Sequence, residues 1–321
     1  MKHSTPQQLI FLLVALFICK GVYAANKTGV TDFLSKGNDS FSLSYTTASA
    51  TLLSGSTPST INSGASIAPL AGLITQNTWL ATINIGVTDK TNMHISYGMQ
   101  SERQEFDYAF APNDYAVTSK WEGSINPEIG FQSLLADKNK GEVGAILYGS
   151  VSPAMTPGYA PIPEIKTNGV LTSGGSNGGS GNDYTTIRIG STVSMPVYIG
   201  SAYFNIEYIY GFVTSIAMPH GTDAQLTFGV EHNFGDSATL RPYISASAIG
   251  SSYYGPNLSA SYSKYDIGAV FINDISPRFS LEYKAEYSTL NNEVIYYANG
   301  NVITLATNSF TLGVQGIFFF H

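Results

Sequence analysis

Histidines close to hydroxyl or carboxyl side chains are the residues of this chain best suited to catalysis. His94 has Ser96 two residues on, and this pair could supply the base and the nucleophile of an ester hydrolase. His220 lies three residues before Asp223, but two such residues in one stretch are commonplace, and no second pair of carboxylates accompanies them. Neither combination is specific, so we expect no catalytic residue and no enzymatic activity.

Cofactor and metal patterns are also missing from the sequence. No glycine-rich loop stands between a strand and a helix to cradle a phosphate, and Asp and Glu do not cluster as they do in a calcium loop. The formal net charge of −7 comes without basic clusters, which argues against nucleic-acid binding. We therefore expect no metal, no cofactor and no nucleic-acid partner.

The first residues read as an export signal. Lys2 gives a weak basic start, an unbroken apolar run covers Leu9–Cys19, and Val22-Tyr23-Ala24 offers small residues for cleavage. The run is too short to span a bilayer as a helix. We predict a cleaved signal peptide over residues 1–24. Its cleavage removes the only cysteine, and this excludes disulfides and thiolate metal sites from the mature chain.

Alternating side chains dominate the rest of the sequence. Only 12% of the residues are charged, and the chain contains 21 Tyr, 17 Phe and 32 Gly. In Trp79–Val87 every second residue is apolar, and the turn Asp89–Asn92 leads into a second alternating stretch, Met93–Gln100. This period of two predicts β-hairpins, and the pattern recurs along residues 41–320. Residues 25–40 are polar and lack periodicity, so they form either a short arm or a segment tucked inside the fold.

The connections between these stretches alternate between short and long. Short ones lie near residues 89–92, 137–141, 195–198, 235–239 and 273–278. Long ones are expected at residues 53–75, 103–122, 153–183, 212–223, 251–261 and 289–303. Twelve strands result, with both chain ends on the short-turn side, which is typical of an up-and-down transmembrane β-barrel of the bacterial outer membrane. We predict this all-β fold for residues 41–320, with the long loops outside the cell.

The last strand supports closure of a barrel. Alternate residues of this strand are apolar and end in aromatics, which resembles the terminal assembly signal of bacterial outer-membrane β-barrels. The resemblance implies an assembly role for Phe310, Leu312, Val314, Phe318 and Phe320. An open apolar edge would invite aggregation, whereas pairing with the first strand would cover it. His321 departs from the usual aromatic ending of such signals.

Charged residues on the strands fall on the face opposite the apolar one. A charge facing lipid at mid-membrane costs about 2–4 kcal/mol for Arg or Lys, so the charged face is predicted to line the lumen. The predicted lumen-lining residues, which are candidates for a solute path, are Glu102, Glu128, Arg188, Glu207, Glu231, Arg241, Lys264, Asp266, Glu282, Lys284 and Glu286. His94 and Ser96 fall on the same face, which is wrong for a lipid ester at the membrane surface.

One long loop differs in composition from the others. Residues 153–183 begin with several prolines and continue into a Gly/Ser-rich stretch, residues 173–182. The sequence favours a mobile, solvated surface loop, and a segment folded into the pore is the alternative.

Two stretches resemble a family of outer-membrane transporters named for the phenol meta-cleavage pathway. They are Ile83–Tyr97 (INIGVTDKTNMHISY) and Ser276–Glu286 (SPRFSLEYKAE), and the hairpin Glu128–Ser152 is compatible with the same family. Similarity to outer-membrane barrels in general extends over the whole mature chain. The resemblance implies movement of small apolar or aromatic compounds across the outer membrane.

The sequence thus predicts an outer-membrane channel or transporter for small molecules with a narrow polar lumen. The alternatives are a plugged structural or surface-interaction barrel and a lipid-active enzyme. Expected partners are outer-membrane lipids, the barrel-assembly machinery and periplasmic chaperones. The solute is not specified by any motif.

Overall fold

The structure, a computed structural model, describes most of the chain after the predicted signal peptide. The described residues are 33–53, 72–110, 113–137, 143–155, 158–159, 162–180, 185–198, 200–212, 222–235, 237–254, 257–296 and 302–320. The predicted signal peptide, His220, Asp236 and His321 lie outside them. Among the described residues, no helix is long and apolar enough to cross a membrane.

Strands make up nearly all of the described chain, because its alternating residues suit a wall with two different faces. In chain order the strands are β1 (Asp39–Leu53), β2 (Gly72–Thr88), β3 (Thr91–Phe110), β4 (Asn113–Ser124), β5 (Glu128–Ala136), β6 (Gly144–Ser152), β7 (Gly158–Tyr159), β8 (Glu164–Thr167), β9 (Val170–Ser173), β10 (Gly179–Ser180), β11 (Thr185–Val197), β12 (Gly200–Phe212), β13 (Thr222–Phe234), β14 (Ala238–Ile249), β15 (Ser252–Tyr254), β16 (Asn257–Ser259), β17 (Tyr262–Ser276), β18 (Phe279–Tyr296) and β19 (Val302–Phe320).

These strands form a closed antiparallel barrel with twelve strands in its wall, as the sequence predicts. Strands β4 and β5 together form one of the twelve, since β3 pairs with both along its length. The pairing shifts by one residue at the break between them, where Pro127 has no backbone N–H to donate. Strands β7 to β10, β15 and β16 are additions outside the wall.

Closure joins the two ends of the chain. The last strand, β19, pairs with β1 from Asp39 opposite Phe320 to Leu53 opposite Ala306, and β1 pairs with β2 on its other side. No open edge remains between the first and last strands of the wall. This removes the unpaired N–H and C=O groups that an edge strand would present.

The two faces of the wall differ as predicted. The outer face carries large apolar side chains that no other part of the chain covers, such as Ile267 at 60% and Phe228 at 50% exposure. On the inner face, side chains from strands that are not neighbours meet each other. The Tyr148 hydroxyl on β6 donates to Glu207 on β12 across β11, and such contacts are possible only on the concave side of the sheet.

Several long connections are shorter than predicted because the strands continue. The expected loop 103–122 is instead the paired ends of β3 and β4, which keep one register as far as Phe110 opposite Asn113. The connection expected at residues 289–303 is shorter in the structure, since β18 runs to Tyr296 and pairs with the start of β19 at Val302. On the outer face of β3, Arg103 forms an ion pair with Glu105. Paired charges of this kind suit a segment outside the lipid, where a charge is tolerated on either face.

The connection 153–183 forms an addition to the sheet. Strand β8 pairs with β4, and β9 pairs with β8. Within the Gly/Ser-rich stretch, the N–H of Gly178 donates to the carbonyl of Lys120, and the Gly178 carbonyl accepts from Glu122. The described part of this stretch is therefore attached to β4 rather than free in solvent or folded through the pore.

Residues 33–38 lie at the short-turn end. Asn92 faces inward beside the hairpin of β2 and β3. With its side-chain amide assigned to the orientation that matches its neighbours, it donates to the Leu34 carbonyl (2.7 Å) and accepts from the Leu34 N–H (3.1 Å). The backbone of Ser35 and Asn38 packs so closely on Gly86 that a Cβ there would collide with it. This part of the predicted N-terminal arm is held against the inner side of the barrel mouth.

Candidate functional site: the charged lumen

All of the charged residues predicted to line the lumen lie on the inner face of the wall. The strand registers place them there: Glu102, Glu128, Arg188, Glu207, Glu231, Arg241, Lys264, Asp266, Glu282, Lys284 and Glu286. Their role as a solute path stays a prediction. The predicted assembly residues Phe310, Leu312, Val314, Phe318 and Phe320 lie on the outer face of β19, and their role in assembly also stays a prediction.

One arginine joins two carboxylates on the first part of the wall. The guanidinium of Arg188 lies 3.5 Å from Glu207 through Nε and 4.0 Å from Glu128 through Nη1. The Nε2 atom of His94 lies 3.2 Å from the other oxygen of Glu128. These residues stand on β3, β5, β11 and β12, so the cluster links four strands through their side chains.

A second arginine stands between two carboxylates on the other part of the wall. The Nε–H of Arg241 donates to Glu231 at 2.7 Å, and both side chains are largely buried. Glu282 on β18 is attracted to Arg241 and repelled by Asp274. Within the described chain, no hydrogen bond or ion pair joins the Glu282 carboxylate to a partner.

The two lysines are paired along their own strands. Residues two apart on a strand face the same side, which places the Lys264 ammonium 2.9 Å from Asp266 and the Lys284 ammonium 3.0 Å from Glu286. The remaining carboxylate of the set, Glu102, accepts a hydrogen bond from the Gln104 amide at 2.6 Å. Neither lysine is therefore left without a negative neighbour.

Tyrosine rings lie flat over glycines on the inner face. Tyr243 on β14 stands opposite Gly268 on β17, and the next residue in that row is Glu286 on β18. The Tyr243 ring crosses the glycine, and its hydroxyl donates to Glu286 at 2.6 Å. A Cβ on Gly268 would lie 2.7 Å from ring atom Cζ, so only glycine leaves space for the ring.

The same arrangement occurs on three more strand pairs. Tyr148, Gly190 and Glu207 repeat the row on β6, β11 and β12, with a hydroxyl-to-carboxylate distance of 2.9 Å. The Tyr203 ring covers Gly229, and the His94 ring covers Gly130. Rings that lie against the wall occupy less of the lumen than rings that point to its centre. Sequence reasoning missed these rows, although glycine at an inner position of an alternating strand was a usable signal.

The inner face of β19, β1 and β2 is uncharged among its described residues and rich in hydroxyl groups. On β19, β1 and β2 the inner residues include Ser309, Thr311, Gln315, Ser40, Ser42, Ser44, Thr46, Thr78, Thr82 and Asn84. The Asn84 amide donates to Ser40 at 3.0 Å, which links two of these strands. The lumen therefore has a charged wall and a neutral polar wall.

The catalytic candidates are engaged in other contacts. The Ser96 hydroxyl lies 3.0 Å from that of Thr82, whereas the His94 ring contacts Glu128. The Asp223 carboxylate accepts a hydrogen bond from the backbone of Gly250 at 2.8 Å. Among the described residues, no group of three or more His, Cys, Asp or Glu is placed to hold a metal ion.

A solved outer-membrane channel shares the fold of this chain, and other solved structures show a weaker similarity. An outer-membrane channel from Pseudomonas putida F1 is similar with a TM-score of 0.56 at 8% identity, over 92% of this chain and 99% of the other. A FadL homologue from Pseudomonas aeruginosa gives a TM-score of 0.47 at 8% identity, over 90% and 91%. The toluene transporter of Pseudomonas putida gives 0.45 at 8% identity, over 93% and 96%.

No family model and no curated protein matches the chain. At this level of identity the structural similarity establishes the fold. The predicted resemblance to outer-membrane barrels is confirmed in this sense.

Proposed function

We propose that this protein is a channel of the bacterial outer membrane that passes small molecules through a narrow polar lumen. The main observation in support of this proposal is the contrast between the two faces of the closed wall. Apolar side chains cover the outside, and charged residues, tyrosines and hydroxyls cover the inside. An apolar outside suits a lipid bilayer, and a polar inside suits water and dissolved molecules.

The width of the barrel supports a small solute. Barrels of about eight strands are filled by side chains, and those of about 16–18 strands enclose an open aqueous channel. Twelve strands lie between these limits, so the side chains of the lumen determine what passes. The flat rings of Tyr148, Tyr203 and Tyr243 leave more of the cross-section free than rings pointing to the centre would. The similarity in fold to a Pseudomonas outer-membrane channel agrees with this proposal.

Planar-bilayer recording tests the proposal directly. Purified mature protein, folded into lipid, should give discrete conductance steps in potassium chloride. Protein that is folded by gel mobility but conducts no ions, and that does not accelerate swelling of liposomes in small sugars, amino acids or aromatic compounds, would rule out a channel.

A plugged barrel is the second candidate, and the contact between Asn92 and Leu34 favours it. That contact holds the start of the described chain at the inner side of the short-turn mouth. Removing residues 25–36 should then create conductance that the intact mature protein lacks. If both forms conduct equally, the segment does not close the lumen.

The orientation we propose places the short turns in the periplasm and the long connections outside the cell. An epitope inserted at Asn257 should bind antibody on intact cells, and one inserted at Lys90 should bind only after the outer membrane is opened. Inverse labelling would contradict this orientation. We expect lipids and the barrel-assembly machinery as partners and no catalytic activity.

A further inference from the structure

We infer that the lumen selects for positively charged and neutral solutes and excludes anions, with Glu282 and Glu102 as the main determinants. This inference rests on the proposed channel function and names the class of solute. The evidence for the inference is the way in which the charges of the inner face are paired.

Carboxylates outnumber cations on the inner face of the described strands. The residues that line it include Arg188, Arg241, Lys264 and Lys284 as cations, and the carboxylates form a larger set: Glu102, Glu128, Glu207, Asp223, Glu231, Asp266, Asp274, Glu282 and Glu286. Rings of acidic side chains favour cations in channels because they lower the energy of a positive ion in the pore and raise that of an anion.

The pairing leaves negative charge uncompensated at separate places. Arg188 is shared between Glu128 and Glu207, so one guanidinium faces two carboxylates in this cluster. Arg241 donates its hydrogen bond to Glu231, which leaves Glu282 without a hydrogen bond or ion pair among the described residues. Glu102 has the neutral Gln104 amide as its one hydrogen-bond partner in the part of the chain that the structure describes. Each lysine, by contrast, is neutralised by the carboxylate two residues away on its own strand.

On the described inner face, no positively charged side chain lacks a carboxylate neighbour. All four cations lie close to carboxylates, so an anion in the lumen would have to displace an existing partner before it could bind one of them. The wall formed by β19, β1 and β2 offers hydroxyl groups, which can hydrogen-bond with either sign of ion. The difference between cations and anions therefore comes from the carboxylates.

The tyrosine faces add to the preference. The ammonium of Lys284 lies 5.9 Å from the centre of the Tyr243 ring, a distance at which a cation is attracted to an aromatic face. The ring is fixed by its hydroxyl bond to Glu286. A small organic ammonium ion in the lumen would find the same combination of ring and carboxylate that holds this lysine.

The reversal potential across a bilayer with a potassium chloride gradient tests the inference. The mature protein should pass potassium in preference to chloride. Glu282→Gln should lower the permeability of potassium about two- to five-fold and raise that of chloride by a similar factor, which is the effect of one elementary charge roughly 4–8 Å from each ion in water. Glu102→Gln should act in the same direction, and the double variant should lose more of the cation preference than either single variant.

Glu122→Gln provides a matched control. Glu122 stands on β4 next to the inner-face position 121, but it faces outward and accepts a hydrogen bond from Asn177. Glu122→Gln should leave the reversal potential unchanged. All variants should first show the mobility of folded barrels on an unheated gel.

The outcomes separate this inference from the proposed function. A conducting protein that prefers chloride, or has no preference, overturns the inference and leaves the channel intact. A cation preference that is as strong in the double variant as in the wild type overturns the assignment to Glu282 and Glu102. A folded protein that neither conducts nor passes uncharged solutes overturns the proposed function, and the selectivity falls with it.

Discussion

The hydroxyl of Tyr243 donates a 2.6 Å hydrogen bond to Glu286, two strands away, and its ring lies over Gly268 on the strand between them. The absence of a side chain at Gly268 makes this contact possible, because any Cβ would occupy the space of the ring. Tyr148, Gly190 and Glu207 repeat the relationship. Each row ties three neighbouring strands together on the inner face and fixes a ring against the wall.

Gly268→Ala should destabilise the barrel and narrow its lumen. The new methyl group would meet Tyr243 at 2.7 Å, so the ring must swing toward the centre and lose its bond to Glu286. We expect a loss of about 1–3 kcal/mol in the free energy of unfolding, measured with urea in lipid vesicles, and a lower conductance.

Gly313→Ala is the control for this effect. Gly313 also lies on the inner face, but the nearest atoms to an added Cβ lie 3.5 Å away, an ordinary contact distance. It should therefore be neutral within experimental error. Equal losses at both positions would show that the ring over Gly268 is not the cause.

Tyr243→Phe should keep the ring in place and remove its hydrogen bond to Glu286. A hydrogen bond to a charged group contributes about 1.5–3 kcal/mol to stability. Because water in the lumen can reach this bond, we expect the loss in the free energy of unfolding to lie at the lower end of that range. Tyr203→Phe is the matched change, since no described hydrogen bond involves the Tyr203 hydroxyl although its ring covers Gly229. In a double-mutant cycle, Tyr243→Phe should show coupling to Glu286→Gln. Independent, additive effects would mean that the bond contributes nothing to stability.

Arginine substitutions at two adjacent positions of β19 should distinguish the outer face of the wall from the inner face by their effect on stability. Val314 faces outward, and Val314→Arg places a charge against lipid at a cost of about 2–4 kcal/mol near the bilayer midplane. Gln315 faces inward and stands opposite Glu282, so Gln315→Arg meets a carboxylate that has no hydrogen bond or ion pair among the described residues. The first variant should unfold at lower urea concentration than wild type, and the second should not. The reverse order would mean that the faces are assigned wrongly.

How much of the structure the sequence could predict depends on whether a feature is set within one strand or between strands that are distant in the chain. The period of two was enough to predict the strands, their number and the side of each charge, because alternation is a property of one strand at a time. The rows such as Tyr148, Gly190 and Glu207 depend on the register between strands that are distant in the chain, which alternation leaves undefined. The single-residue shift at Pro127 and the attachment of Gly178 to β4 are features of the same kind. For charged strand ends such as Arg103, the sequence could not distinguish a loop from a strand that continues beyond the lipid.

Removal of Ile317–His321 should prevent assembly of the barrel. The last four residues of β19 pair with Asp39–Ser42 of β1 on one side, and Phe318 pairs with Phe279 of β18 on the other. Without them, N–H and C=O groups of both neighbours would face lipid unpaired, at a cost of several kcal/mol for each group. The truncated chain should therefore migrate as unfolded protein on an unheated gel, where a folded barrel runs faster. Deletion of His321 alone removes no strand pair and should leave the fast-running form. If the longer deletion still gives that form, closure between β19 and β1 does not depend on the end of the last strand, and the predicted assembly role of its aromatic face fails with it.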